Sequence, residues 1–239
     1  MKAPLCFLLF AGWATLLGAD DPRPKALIEF GWDEPDPAFL RQHLAEMEAT
    51  PFDGCVYHVG WKGADGKSGN FTWECWSKRG FTETELEGAL ADLKATPFRR
   101  FSHNFLRFNT TPADIDWFDD HAAVVQNARL AAKVAREGKS RGLLFDIEQY
   151  NAPLFDYRKQ RDAKTKPWEA YAAEARLRGR EVMEAFQQGF PDLTVFLTFG
   201  YCLPWGQSHG GKKPLSECSY GLLAPFLDRM ADLIDGEAQ

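Results

Sequence analysis

Short apolar runs recur along this chain, separated by longer segments in which apolar residues return every three or four positions. The runs are Ala26 to Asp33, Gly54 to Val59, Arg100 to Phe108, Gly142 to Ile147 and Leu193 to Gly200. Their length and their aromatic and β-branched content predict five strands. Helix signals fall between and after them. Asp36-Pro37 supplies an N-cap and a first-turn proline, with Phe39, Leu40, Leu44 and Met47 as the apolar face. Thr82-Glu83-Thr84-Glu85 matches a capping box and opens a helix running towards Thr96-Pro97. A third helix is expected from about Asp116 to Arg136, stopping at Gly138, and Pro167 opens a fourth through Trp168, Tyr171, Val182, Met183 and Phe186. Pro225 and Gly236 frame a last one, with Leu227, Met230 and Ile234 on its inner side.

Strict alternation of strand and helix predicts an α/β fold with a parallel sheet, because each helix must carry the chain back before the next parallel strand begins. The period and the polar strand ends are those of a (β/α)₈ TIM barrel, apparently incomplete, since about five of eight βα units are visible. A single, partial barrel domain is expected over residues 20–239. Gly236 to Gln239 follow the fifth unit, as expected of part of a longer product or of an open sheet. An uncovered edge strand and apolar face predict poor solubility for this piece alone. The segment from Gly60 to Gly80, with Trp61, Trp73 and Trp76, is too long for a plain connector.

Residues 1–19 have a different pattern: Lys2, an apolar run from Leu5 to Leu17, then Gly18-Ala19 before Asp20-Asp21. This predicts a secretory signal peptide, with a retained N-terminal anchor as the alternative. The run is short for a membrane span, so a secreted or periplasmic protein is expected, with no membrane association after signal removal. The net charge of -6 without a basic block argues against a nucleic-acid partner. Beyond Cys6 in the leader, Cys55, Cys75, Cys202 and Cys218 allow three pairings; Cys202 and Cys218 are nearest in sequence, and no CxxC spacing suggests zinc. Aromatic residues make up 14% of the chain, which suits either a large core or a stacking surface.

The chemistry centres on Gly142-Leu143-Leu144-Phe145-Asp146-Ile147-Glu148-Gln149-Tyr150. Alternation puts Leu144, Asp146 and Glu148 on one face and Leu143, Phe145 and Ile147 on the other. In parallel sheets ligands bind beyond the carboxyl ends of the strands, where these acids fall. The same end is expected to collect Asp33, His58 and Asn104, with Tyr150 and Tyr201 just above and Trp61, Trp73 and Trp205 on loops. Acids and amides would hydrogen-bond a polyol while aromatic faces pack on its CH surface. The blander alternatives are a structural acid pair at a strand terminus, partnered core histidines, and core tryptophans at Trp32, Trp117 and Trp168. Two carboxylates two residues apart disfavour joint ionisation, which suggests Glu148 as proton donor and Asp146 as the partner that orients it.

Phe145-Asp146-Ile147-Glu148 at the end of a fourth strand resembles the terminal Asp-x-Glu of the family 18 chitinase-like glycoside hydrolases. That family's fuller pattern has aspartates where this chain has Arg141 and Leu144, so the resemblance does not extend to its N-acetyl-assisted mechanism. More broadly, the five units and Glu148 resemble the secreted bacterial TIM-barrel glycoside hydrolases. That resemblance implies cleavage of a glycosidic bond in a carbohydrate substrate by general acid catalysis, often with a nucleophile on a seventh strand that these residues do not include. One alternative is a metal-dependent barrel hydrolase or isomerase using His58, His103, Asp146 and Glu148; another is a non-catalytic carbohydrate-binding protein. No complete Walker loop, GxGxxG, GxSxG or HExxH motif occurs, and no cofactor or metal is expected. Asn70-Phe71-Thr72 and Asn109-Thr110-Thr111 fit glycosylation acceptors.

Overall fold

A computed structural model describes residues 25–31 and 33–234. The leader at 1–19, Trp32, Gly236 and the side chain of Ile234 lie outside the described residues. In chain order the main elements are β1 (Ile28–Glu29), α1 (Pro37–Glu48), β2 (Gly54–Tyr57), β3 (Gly60–Lys62), β4 (Ser68–Asn70), α2 (Phe71–Glu74) and α3 (Glu83–Ala95). Then come β5 (Phe105–Asn109), α4 (Ala122–Glu137), β6 (Gly142–Asp146), α5 (Trp168–Gly189), β7 (Thr194–Leu197), α6 (Cys202–Gln207) and α7 (Leu223–Ile234).

Five strands form one sheet in the order β1-β2-β5-β6-β7, every neighbouring pair parallel. The α/β expectation therefore stands, and the sheet curls like one side of a barrel. Its curl brings Phe30, just after β1, and Phe196 of β7 to the same hollow although they belong to opposite edges. The predicted excursion after β2 folds into the antiparallel β3–β4 hairpin followed by α2.

Two apolar layers flank the sheet. Tyr57, Leu106, Phe108, Leu143, Phe145 and Ile147 join the large core under the helices, which also contains Trp76, Trp117, Phe186 and Phe226. Val56, Phe105 and Leu144, with Ile28 beside them, make a small cluster on the concave face. The alternation expected for β6 is thus present, with odd residues towards the helices and Leu144 inside.

Helix ends follow local chemistry closely. Asp36 accepts from Phe39 N at 2.8 Å to cap α1, whose Leu40 and Leu44 are buried while Phe39 is exposed. Thr82 and Glu85 make the reciprocal capping box of α3. α4 starts at Ala122, six residues later than the pattern predicts, because Asp116 to His121 form a separate turn. It ends in a Schellman arrangement in which the left-handed residue is Lys139, at φ 61, rather than Gly138. Gly138 is required for a different reason: a Cβ there would lie 2.8 Å from Leu93 Cδ1 and 2.9 Å from Val134 O. The cysteines at 55, 75, 202 and 218 are all unpaired, and Cys202 is exposed while Cys218 is buried.

Candidate functional site

β5 and β6 run side by side with Arg107 opposite Leu144 and Asn109 opposite Asp146. Arg107 points into the concave side and is the hub of the site. Its Nε donates to Asn109 Oδ1 at 2.7 Å, Nη1 to Glu34 Oε1 at 2.7 Å, and Nη2 to Asp146 Oδ2 and to the Tyr150 hydroxyl at 3.1 Å. Phe30 and Trp73 pack around the guanidinium, at 5.8 and 5.2 Å from their ring centroids. A buried arginine is tolerated here because its donors meet two carboxylates, an amide and a phenol.

Asp146 is wholly buried and has both oxygens engaged. Oδ1 accepts from Thr198 Oγ1 and from Glu148 N, each at 3.0 Å, and Oδ2 accepts from Arg107 and from the Tyr150 hydroxyl at 3.0 Å. Tyr150 also reaches Glu148 Oε2 at 2.7 Å, so its hydroxyl stands between the two acids predicted to act together. Burial, followed by the hydrogen bond to Glu148 and the charge of Asp146, raises the Tyr150 pKa and keeps the phenol a proton-bearing donor. Burial raises the Glu34 carboxyl above its ordinary range, as it does that of neighbouring Glu29. Arg107 pulls Glu34 down without cancelling the effect, and the charges of Asp146 and Glu29 add to the rise.

A cleft of about 330 Å³ opens at the carboxyl ends of the strands. Phe30, Leu144, Phe196, Leu197 and Phe199 form its apolar wall, and Arg107, Glu148, Tyr150 and Thr198 its polar one. Phe30 and Phe196 remain 47% and 41% exposed, so the aromatic walls are open to a ligand. A larger hollow, about 720 Å³, lies on the helical outside beside α3 and α4, where Lys133 already pairs with Glu83 and Glu137. The smaller cleft is the candidate site, because it holds the acid, the phenol and the apolar surface together.

Of the expected site residues, Asp146, Glu148 and Tyr150 come together; the others lie elsewhere. Asn104 precedes β5 at the amino end of the sheet, where it accepts from Cys55 N at 3.1 Å and donates to Phe101 O at 2.8 Å, a structural bracket. His58 is partly buried and its Nδ1 donates to Glu34 O at 2.9 Å, so it acts on the loop that carries Glu34. Asp33 is exposed beside buried Glu34. Trp61 is packed in β3, donating to Glu74 Oε1 at 2.9 Å with the Arg79 guanidinium 3.6 Å over its ring, which occupies the face expected to stack on a ligand. Tyr201 donates to Asp228 Oδ1 at 3.1 Å and Trp205 stands exposed on α6; neither lines the cleft. Of the two acceptor triplets, that of Asn109 is unsuited to glycan attachment because Asn109 is fully buried, whereas Asn70 is half-buried.

Arg107, Glu34, Phe30 and Phe196 are the residues that sequence reasoning missed, while Trp73, one of the three loop tryptophans expected to stack, packs on Arg107. Placing Asn104 at the site put its neighbours in alternation, Phe105 and Arg107, on the outer face, whereas Phe105 packs inside on Val56 and Leu144. The available signal was the charge itself: an arginine inside an apolar strand needs a buried acid, and Asp146 ends the next strand. Among the described residues no group of three or more His, Cys, Asp and Glu is arranged to hold a metal ion, and no helix is long and apolar enough to cross a membrane. No protein-family model matches the chain, and neither a curated protein nor a solved structure matches it.

Proposed function

We propose that the cleft cleaves a glycosidic bond, with Glu148 as the general acid. The observation that carries this reading is the setting of Glu148, the one carboxylate among the residues lining an aromatic-walled cleft at the strand ends. Its Oε2 accepts from the Tyr150 hydroxyl, which leaves the other oxygen to carry the proton. Passing that proton to the bridging oxygen lets the C1–O bond break; water then adds to C1, giving the hemiacetal, and the proton it sheds returns to the Glu148 carboxylate, which the phenol hydrogen-bonds in the interval. Asp146 does not touch the cleft; it holds Arg107 and Tyr150 in place and is a positioning residue. Phe30 and Phe196 offer flat faces to the CH surface of a sugar ring.

The architecture that belongs with this reading is of the (β/α)₈ type, with these five strands as one side of the barrel. Export directed by residues 1–19 belongs to the same proposal. The test is hydrolysis of aryl glycosides and polysaccharides by the wild-type protein and by Glu148→Gln. Turnover should fall by about 10²–10⁴-fold in the variant while ligand binding persists. Absence of any hydrolysis by the wild type, or an unchanged kcat in Glu148→Gln, refutes the reading.

A further inference from the structure

Trp205 lies on α6, six residues beyond Phe199 of the cleft wall, and its side chain is 63% exposed. The indole is nevertheless held in place. Gly210 and Gly211 pass behind it with φ of 69° and 84°, and a Cβ on Gly210 would lie 3.4 Å from the ring. His209 also adopts a positive φ of 51°, a conformation that a side chain disfavours, so three successive residues take the left-handed turn that backs the ring.

The loop bearing this ring is tied to the segment bearing Glu148. Gln207 Oε1 accepts from Tyr220 N at 2.9 Å, and the Tyr220 hydroxyl accepts from Gln149 N at 3.1 Å. Gln149 Nε2 donates to Ser219 O at 3.0 Å, and Gln149 follows Glu148 directly. The exposed indole therefore keeps a fixed relation to the acid. Exposed His209 and Lys212 follow the ring in sequence, and Tyr201, 46% exposed, stands one helical turn before it. Two exposed aromatic side chains with polar neighbours suit a ligand with CH groups on one side and hydroxyls at its rim.

We infer that Trp205 is a stacking platform for a sugar ring outside the cleft, so that the substrate is an oligosaccharide or polysaccharide rather than a single sugar with a small aglycone. This rests on the carbohydrate reading of the cleft. The test measures calorimetric binding of cello-, xylo-, chito- and maltohexaose, and of the matching disaccharides, to Glu148→Gln with and without Trp205→Ala. One hexaose should bind roughly 10-fold tighter than its disaccharide, and Trp205→Ala should abolish the difference while Trp205→Phe keeps most of it. Equal affinity for hexaose and disaccharide, an unchanged hexaose affinity in Trp205→Ala, or no hexaose binding overturns the inference. Aryl-glycoside turnover by the wild type separates the two proposals. Turnover with no effect of Trp205→Ala on hexaose binding sinks the platform and keeps the glycosidase. Hexaose binding lost in Trp205→Ala without any turnover keeps the platform and sinks the glycosidase.

Discussion

Replacing Arg107 with methionine would remove the guanidinium from between Glu34 and Asp146 and leave two carboxylates facing each other in a dry site. The side chains of Arg107, Glu34 and Asp146 are 7%, 4% and 0% exposed, so the estimate of about 0–1 kcal/mol for surface pairs does not apply. Breaking a buried pair by removing one partner costs about 3–5 kcal/mol, and that is the loss expected for Arg107→Met at pH 7 in urea unfolding followed by tryptophan fluorescence. Neutralising the stranded acids as well, in Arg107→Met/Glu34→Gln/Asp146→Asn, should recover about 1–4 kcal/mol.

The variant also has a pH signature. Burial already holds the Glu34 carboxyl above its ordinary 4.5, so the folded protein keeps that proton more tightly than the unfolded chain does. Stability from this group therefore falls as pH rises through the interval above 4.5. Arg107 is what pulls Glu34 back down, so deleting it widens the interval, and the deficit of Arg107→Met should be smaller at pH 5 than at pH 7. A loss below about 1 kcal/mol, a deficit equal at both pH values, or a triple variant no more stable than Arg107→Met would refute the assignment of Arg107 as the hub.

Three further outcomes follow from local geometry. Gly142→Ala should destabilise by about 1–3 kcal/mol in the same assay, because its Cβ would fall 1.9 Å from Thr194 O, where β6 meets β7. Lys139→Gly should stabilise by about 0.5–1 kcal/mol, since Lys139 holds the left-handed position after α4 that glycine adopts without a Cβ clash. Burial pushes the Glu48 carboxyl up, but N–H groups of Arg99, Phe101 and Arg100 at 2.8, 3.1 and 2.9 Å outweigh it and leave its pKa lowered. Its contribution is therefore present above 4.5 and lost as pH falls through the lowered value, so Glu48→Gln should cost about 1–2 kcal/mol at pH 7 and less in acid.

Much of this molecule is legible locally. The Asp36 cap, the Thr82–Glu85 capping box and the five βα repeats need only nearest neighbours and the periods 3.6 and 2, and the structure carries each of them. The same period of two separated Leu144, Asp146 and Glu148 from Leu143, Phe145 and Ile147. What it could not say for β5 is which of two faces is inside, because Phe105 and Phe108 are both apolar and fall on opposite sides. Contact with Val56 and Leu144 decided that, and so turned Arg107 inward and Asn104 outward. The partners of Arg107 lie 73 and 39 residues away in the chain, and only the packing of strands brings such charges within bonding distance. Likewise Trp61 and Trp205 look alike in sequence, each beside a glycine in a connecting segment, yet Arg79 covers one and solvent meets the other. Periodicity assigns residues to faces, but burial and charge pairing depend on what the rest of the fold lays against each face.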